Sequence, residues 1–221
     1  MTRGAELHIG VLSLQGDVAE HLGVLRRLGV ETSRVSTPRD LSGVDGIVLP
    51  GGESTTLSKL LVSSGVFDPL AEALRSGLPA LGTCAGAVLL SSSIVDGRPD
   101  QLCFGVLGCK VRRNGYGRQC ESFEVAIDKE SLFGSLGGDV APLPAVFIRA
   151  PIVEEVDREV EVLASFSRRR DQVASPVVCA QGNVVATTFH PELTGDTRVH
   201  ELFIETVKNW TVKSARGSPR S

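Results

Sequence analysis

Cys84 is the residue of this sequence whose type and surroundings best suit nucleophilic chemistry. It stands in LGTCAGAVLL, where an apolar strand is expected to turn directly into a helix. Small neighbours permit such a sharp turn and leave the sulfur accessible, and a helix N-terminus favours the thiolate form. The same arrangement with serine is the nucleophile elbow of α/β hydrolases. A buried cysteine that only fills space is the alternative, and this segment alone leaves both interpretations open.

His190 and Glu192 could supply the base that such a nucleophile needs. They stand in TTFHPELT, at the end of another apolar run. We expect the alternation of side chains along a strand to place both on one side of it. The carboxylate would then fix the orientation and tautomer of the imidazole, whose other nitrogen takes the thiol proton. The remaining histidines are expected to be structural or solvated: His8, His21 and His200.

A third stretch, PGGEST, follows a short apolar run and contains two adjacent glycines, Gly51 and Gly52. Glycines let backbone N–H groups approach a ligand closely. The spacing of a nucleotide-binding P-loop is absent. From this segment alone, a ligand-binding turn and an ordinary tight turn are about equally good interpretations.

The composition indicates one globular domain with no marked attraction to nucleic acid or to anionic lipid. The chain has 221 residues, of which 42% are hydrophobic, and a formal net charge of −3. Its five cysteines form neither a CxxC pair nor a cluster with histidines, so no zinc site is expected. Without a signal-like N-terminus or a long apolar stretch, we expect a cytoplasmic protein. The cysteines in or beside strand-like runs are expected to be structural: Cys103, Cys109, Cys120 and Cys179.

The first half of the chain alternates strands and helices. Apolar runs predict strands over Leu7–Leu14, in VETSRVS, in GIVLP and in LPALGT. Between them, helical periodicity begins after an N-cap at Asp17, at Ser54 or Thr55, and near Pro69. Such alternation predicts a parallel sheet with helices on both sides, and ligands gather at the carboxyl edge of such a sheet.

The second half contains short β-type segments, a hairpin turn at QGN and an amphipathic helix from about Asp196. We therefore predict a three-layer α/β fold with a mostly parallel central sheet, helices on both faces, and an antiparallel or mixed β extension. Residues 1–212 are expected to form one domain, and residues 213–221 a disordered C-terminal tail. The polar stretch FSRRRDQVASP is expected to form a mobile surface loop.

Six motifs resemble one family, and they occur in that family's order. They are LQGDVAEH, PGGESTT, GTCAG, RRNGYGRQCESFE, VFIRAP and FHPELTGDTRVHELF. GTCAG followed at a distance by HPE is similar to the class I, triad-type glutamine amidotransferases, which have a flavodoxin-like fold. The full set resembles the glutaminase subunits of pyridoxal 5′-phosphate synthases, from about Ile9 to Phe203.

The resemblance implies that the chain hydrolyses L-glutamine to L-glutamate and ammonia. Cys84 would attack the side-chain amide and form a glutamyl thioester. His190 would act first as the base and then as the acid that protonates the leaving group, and Glu192 would orient it. Backbone N–H groups at Gly52 and Ala85 would form the oxyanion hole.

The resemblance also implies a set of residues that bind glutamine. They are Gly52, Glu53, Ser54, Arg113, Ile148 and Arg149. An amino acid substrate needs a cation for its α-carboxylate and acceptors for its ammonium. The residues alone do not assign each group of the substrate to its partner.

A partner is implied as well. In the family, ammonia passes to a (β/α)₈-barrel synthase subunit, and the glutaminase depends on that partner for activity. The chain itself would need no cofactor and no metal ion, and would bind neither nucleic acid nor membranes. Two other functions compete: a glutaminase that feeds a different ammonia-using synthase, and a non-enzymatic cysteine redox sensor or chaperone. RRNGYGRQ and VFIRAP argue against the first, and HPE against the second.

Overall fold

The structure is a computed structural model that describes residues 7–98, 100–115, 122–127, 141–168 and 173–217. Several predictions fall partly or wholly outside these ranges, including the single domain over residues 1–212. The others concern Cys120, residues 169–172 of the expected loop, and residues 218–221 of the expected tail. Within the described ranges, no helix is long and apolar enough to cross a membrane.

The described residues form twelve strands and five α-helices. The strands are β1 (His8–Leu12), β2 (Glu31–Val35), β3 (Gly46–Leu49), β4 (Ala80–Thr83), β5 (Ser91–Ile94), β6 (Leu107–Arg112), β7 (Phe123–Ile127), β8 (Leu143–Phe147), β9 (Ile152–Val156), β10 (Glu161–Phe166), β11 (Ser175–Gln181) and β12 (Val184–Thr187). The helices are α1 (Val18–Arg27), α2 (Ser54–Ser63), α3 (Phe67–Arg75), α4 (Ala85–Leu90) and α5 (Arg198–Gly217). Short 3₁₀ turns cover Pro38–Leu41 and Pro191–Leu193.

The central sheet has seven strands in the order β10-β11-β12-β4-β3-β1-β2. The five strands from β12 to β2 pair in parallel, and β11 and β10 add an antiparallel extension at one end. Gly182 makes the turn between β11 and β12 with a positive φ of 58°, as the QGN hairpin predicts. The mostly parallel sheet and its antiparallel extension are both confirmed.

Helices cover both faces of this sheet. One apolar cluster joins α1 and α5 to the sheet through Leu22, Leu25, Phe203 and Val207. A second cluster joins α2, α3 and α4 to the opposite face. Burying an apolar stripe of each helix against the sheet is the main favourable contribution of these layers. The predicted three-layer architecture is therefore confirmed.

The described residues also form two small sheets. The order β5-β6-β9 forms one, and the antiparallel pair β7-β8 forms the other. Leu107, Cys109 and Val111 of β6 join the cluster of α2–α4, whereas Phe147 of β8 joins the cluster of α1 and α5. Loops of these sheets lie towards the carboxyl edge of the central sheet, where the candidate site is found.

Helix α5 extends beyond the expected end of the domain. It continues to Gly217, so residues 213–217 of the expected tail are helical. Val199, Phe203 and Val207 anchor its first half in the core, and Val212 is half-exposed. The division into a domain of residues 1–212 and a tail stays a prediction.

Candidate active site

Three neighbouring strands bring the chemically interesting motifs together. β4 lies between β3 and β12 in the sheet, and all three run parallel. PGGEST, GTCAG and HPE follow their carboxyl ends, and the Cys84 N–H donates to the Thr187 carbonyl at 2.9 Å. The prediction that these motifs end neighbouring strands is confirmed.

Cys84 joins β4 to α4 in a strained backbone conformation. Its φ of 48° and ψ of −102° lie where a non-glycine residue is rarely found. The turn needs small neighbours, since a Cβ on Gly86 would lie 1.9 Å from the Leu49 carbonyl oxygen. The Cys84 sulfur lies 3.8 Å from the carbonyl oxygen of Ile148. This geometry matches a nucleophile elbow better than a filler cysteine.

His190 and Glu192 are joined by a hydrogen bond, although a different local structure positions them. Nδ1 of His190 lies 2.8 Å from Oε1 of Glu192, and both side chains are buried. The expected strand alternation is wrong, because β12 ends at Thr187 and Glu192 lies in the 3₁₀ turn that begins at Pro191. Proline suits the first position of such a turn, and the turn folds the carboxylate back to the ring.

The environment of His190 favours its charged form. Burial alone would lower its pKa, but hydrogen bonds to Asp17, Cys84 and Glu192 outweigh burial and raise the pKa. Burial raises the pKa of Glu192, against the lowering effect of its hydrogen bond to His190. The arrangement suits an imidazolium that stabilises a neighbouring thiolate.

Asp17 is a site residue that the sequence interpretation missed. It occupies the N-cap position of α1, as predicted, but its side chain does not cap the helix. Oδ2 instead lies 3.1 Å from Nδ1 of His190, and this hydrogen bond lowers the pKa of Asp17 against the opposing effect of burial. The position of Asp17 just beyond β1, close to the same edge of the sheet, is the signal that could have indicated this role.

Asp17, His190 and Glu192 are also the described residues whose ligand atoms lie close enough together to hold a metal ion. Their contacts of 2.8 and 3.1 Å to one ring nitrogen are hydrogen-bond distances. We therefore assign them to a hydrogen-bonded cluster that orients the imidazole.

A substitution at Gly51 tests how closely the imidazole is held. A Cβ there would lie 2.2 Å from Cε1 of His190, so Gly51→Ala must displace the ring. We expect the rate of Cys84 alkylation by iodoacetamide at neutral pH to fall by about 10²-fold. Gly23→Ala in α1 is the matched control, because its Cβ would meet nothing within 4 Å. Equal alkylation rates in the two variants would contradict this geometry.

A pocket beside Cys84 collects the predicted substrate-binding residues. It is lined by Gly52, Glu53, Ser54, Cys84, Ala85, Val88, Arg113, Asn114, Ile148, Arg149 and Pro151. All six predicted binding residues are therefore near the sulfur. Their individual roles stay predictions.

Two charged members of this pocket, Arg113 and Glu53, contact each other. Arg113 donates to Oε1 of Glu53 at 3.1 Å and to Oε1 of Gln101 at 2.7 Å. Glu53 also caps α2 by accepting from the N–H groups of Thr55 and Thr56. The pocket thus presents a cation and a carboxylate in fixed positions, which suits a zwitterionic ligand. Gln101 gave no signal in the sequence because it lies in a loop without a recognisable pattern.

Gly52 and Arg149 adopt backbone conformations that shape the pocket. Gly52 has a φ of 152°, and a Cβ there would lie 2.5 Å from Oε1 of Gln15. The same Gln15 oxygen accepts the Glu53 N–H at 2.9 Å. Gln15 thereby supports the PGGEST turn, a contact that the sequence interpretation missed. Arg149 has a φ of 45°, which is unusual for a residue with a side chain.

The cap formed by Glu53 predicts a pH-dependent contribution to stability. Partial burial would raise its pKa, but hydrogen bonds from Thr56 and Thr55 lower it to about 2. A lowered pKa stabilises the fold above the unfolded value and loses that effect as pH falls from about 4.5 towards 2. Glu53→Ala is expected to cost about 1 kcal/mol at pH 7. Urea denaturation at several pH values measures the difference in the free energy of unfolding between the wild type and Glu53→Ala, which should shrink in acid. Glu72→Ala, at an exposed position in α3, is the control. A difference that is constant with pH would contradict the capping role.

Comparisons with known proteins agree with this geometry. The SNO glutamine amidotransferase family matches residues 11–209. The chain is 49% identical over 201 residues to pyridoxal 5′-phosphate synthase subunit PdxT of Rhodococcus opacus, covering 90% of this chain and 96% of that protein. It is 50% identical over 200 residues to the same-named subunit of Mycobacteroides abscessus, covering 90% and 97%. A crystal structure of a glutamine amidotransferase superposes with a TM-score of 0.78 at 42% identity, covering 90% and 98%. The chain therefore belongs to the SNO glutamine amidotransferase family.

Proposed function

We propose that this chain is the glutaminase subunit of a pyridoxal 5′-phosphate synthase and releases the ammonia used in vitamin B6 biosynthesis. The observation that carries the proposal is the convergence of Cys84, His190 and Glu192 on neighbouring strand ends beside one pocket. The relatives at about half identity carry the name of that synthase subunit. A redox sensor would need an accessible thiolate but no paired imidazole and carboxylate.

The proposed reaction follows from the hydrogen bonds of His190. Because Nδ1 faces carboxylates, Nε2 is the nitrogen that exchanges a proton with Cys84. The thiolate attacks the amide carbon of glutamine, and the Nε2 proton goes to the departing ammonia. A water molecule then gives a proton to Nε2 as its oxygen attacks the thioester carbon, the C–S bond breaks, and glutamate is released with the thiolate–imidazolium pair restored.

The pocket supplies groups for binding and for charge stabilisation. The N–H groups of Gly52 and Ala85 are proposed to stabilise the oxyanion, a contribution of about 3 kcal/mol for one such donor. Arg113 and Glu53 offer opposite charges to the α-carboxylate and α-ammonium of glutamine. Ser54, Ile148 and Arg149 complete the lining.

The proposed partner is a (β/α)₈-barrel synthase subunit that receives the ammonia. The support is the name shared by the relatives, which describes one subunit of a synthase. A different ammonia-using synthase is the competing partner, and the pairing experiment separates the two.

The experiment measures glutamate and ammonia formed from L-glutamine by this chain, alone and with the pyridoxal phosphate synthase subunit of the same organism. We expect strong stimulation by that subunit and formation of pyridoxal 5′-phosphate from pentose and triose phosphates. Stimulation by another ammonia-using synthase, with none by this partner, would redirect the proposal. No glutaminase activity in either mixture would overturn it.

A further inference from the structure

A pair of buried histidines lies behind Glu192, on the side away from His190. His21 of α1 and His200 of α5 are both 0% exposed. Nδ1 of His21 lies 3.0 Å from Nε2 of His200. Nε2 of His21 lies 3.1 Å from Oγ1 of Thr83 and 3.4 Å from Oε2 of Glu192. The two histidines thus continue the chain of polar contacts from the site into the core.

The two carboxylate oxygens of Glu192 differ in their hydrogen bonding. Oε1 faces Nδ1 of His190 at 2.8 Å. Among the described residues, Oε2 is buried without a hydrogen bond of ordinary geometry, and it lies 3.4 Å from Nε2 of His21. A buried carboxylate oxygen without a donor is costly, so this contact has a large influence on whether Glu192 keeps its charge.

The contacts select one tautomer for His21. A proton on Nε2 would donate to the Thr83 hydroxyl at 3.1 Å and lie beside Oε2 of Glu192, whose distance to Nε2 is 3.4 Å, whereas a bare Nε2 would face that carboxylate with its lone pair. Nδ1 of His21 then accepts from Nε2–H of His200. The orphaned Nδ1 of His200 is left as a lone pair rather than as a buried N–H, which is the less costly outcome.

We propose that His21 is a positioning residue, whose Nε2–H holds Glu192 as an oriented carboxylate so that Glu192 can hold the imidazolium of His190. This proposal rests on the proposed glutaminase function. His21 does not line the substrate pocket, and it would act on the reaction only through its contact with Glu192.

The charged and titratable groups around His21 favour its neutral form, which can donate through Nε2–H. Burial, His200 and His190 all lower the pKa of His21, and burial and then Arg27 lower the pKa of His200 to about 4. Two residues face Nε2 of His21: Glu192 in the 3₁₀ turn and Thr83 in β4. Asp17, at the start of α1, faces the His190 ring, and its charge is one of the causes that raise the pKa of Glu192, after burial.

Removing the His21 N–H is expected to move the acid limb of the pH profile in one direction. Without His21, the buried charge of Glu192 is less compensated, so its pKa rises further and it takes up a proton at weakly acidic pH. A neutral Glu192 stabilises the His190 imidazolium less, and the Cys84 thiolate is lost at higher pH than before. We therefore expect the acid limb of kcat/KM to move up by about one pH unit, a tenfold loss on that limb.

The experiment compares His21→Asn with His21→Gln in the complex with the synthase partner. The amide nitrogen of glutamine reaches about as far as Nε2, whereas that of asparagine reaches only about as far as Nδ1. His21→Asn is expected to show the raised acid limb and a lower kcat with little change in KM. His21→Gln is expected to restore the wild-type profile. The pH dependence of Cys84 alkylation, measured on the same proteins, should shift in parallel.

The outcomes are separable. His21→Leu replaces His21→Asn as the loss variant if the latter does not fold, as judged by circular dichroism. Folded loss variants with the wild-type acid limb, or equal pH profiles for His21→Asn and His21→Gln, would overturn the proposal for His21. A wild-type complex without glutaminase activity would instead overturn the proposed function, and the alkylation profiles would still decide the role of His21.

Discussion

Cys84→Ser is expected to lower glutamine hydrolysis in the presence of the synthase partner by at least about 10³-fold. A serine hydroxyl keeps the size of the side chain but is far less acidic than a thiol, so His190 cannot maintain it as an anion. The strained elbow at residue 84 should be retained, since its neighbours are unchanged. Coupled assay of glutamate formation measures the loss, and the affinity for glutamine should change little.

Cys103→Ser is the control for this substitution. Cys103 is a partly exposed free cysteine whose sulfur contacts the Ser92 carbonyl, away from the pocket. Its variant should retain wild-type activity. If Cys84→Ser turns over glutamine at the wild-type rate, Cys84 is not the nucleophile and the thioester mechanism fails.

Glu192→Gln is expected to lower kcat by about 10²- to 10⁴-fold while leaving KM nearly unchanged. The amide is nearly the same size, but it removes the charge that faces Nδ1 of His190 at 2.8 Å. An NH₂ group turned towards the ring also favours the wrong tautomer. The variant tests the orientation and charge that Glu192 supplies to His190 and leaves the nucleophile, Cys84, unchanged.

Glu201→Gln serves as the matched control, because Glu201 is exposed on α5. Asp17→Asn is expected to have a smaller effect than Glu192→Gln, since Asp17 is partly exposed and solvent screens it. A larger loss in Asp17→Asn than in Glu192→Gln would assign the orienting role to Asp17. Steady-state kinetics with the partner present decides between them.

The sheet and the meeting of its motifs could be predicted because their signals are local. Apolar runs such as GIVLP mark strands that are covered on both faces, and parallel strands end at one edge. The adjacency of β3, β4 and β12 then brings Cys84 and His190 together. The turn at Gly182 was predictable for the same reason, since a short turn between apolar runs specifies a hairpin.

The contacts around the imidazole could not be predicted, because they join distant parts of the chain. Asp17 has the sequence features of an N-cap, yet the His190 imidazole competes for its carboxylate. His21 and His200 are 179 positions apart, and nothing in either segment indicates that their rings meet. Glu192 was placed correctly beside His190 for the wrong local reason, since Pro191 replaces the strand by a 3₁₀ turn.

The central claim is that this chain forms a covalent glutamyl adduct on Cys84. It is tested most directly by mass spectrometry after treatment of the partner complex with a glutamine-analogue diazoketone. We predict one adduct per chain, mapped to the peptide that contains Cys84 and prevented by excess L-glutamine. An adduct on Cys103 or Cys109, or labelling that glutamine does not prevent, would contradict the account.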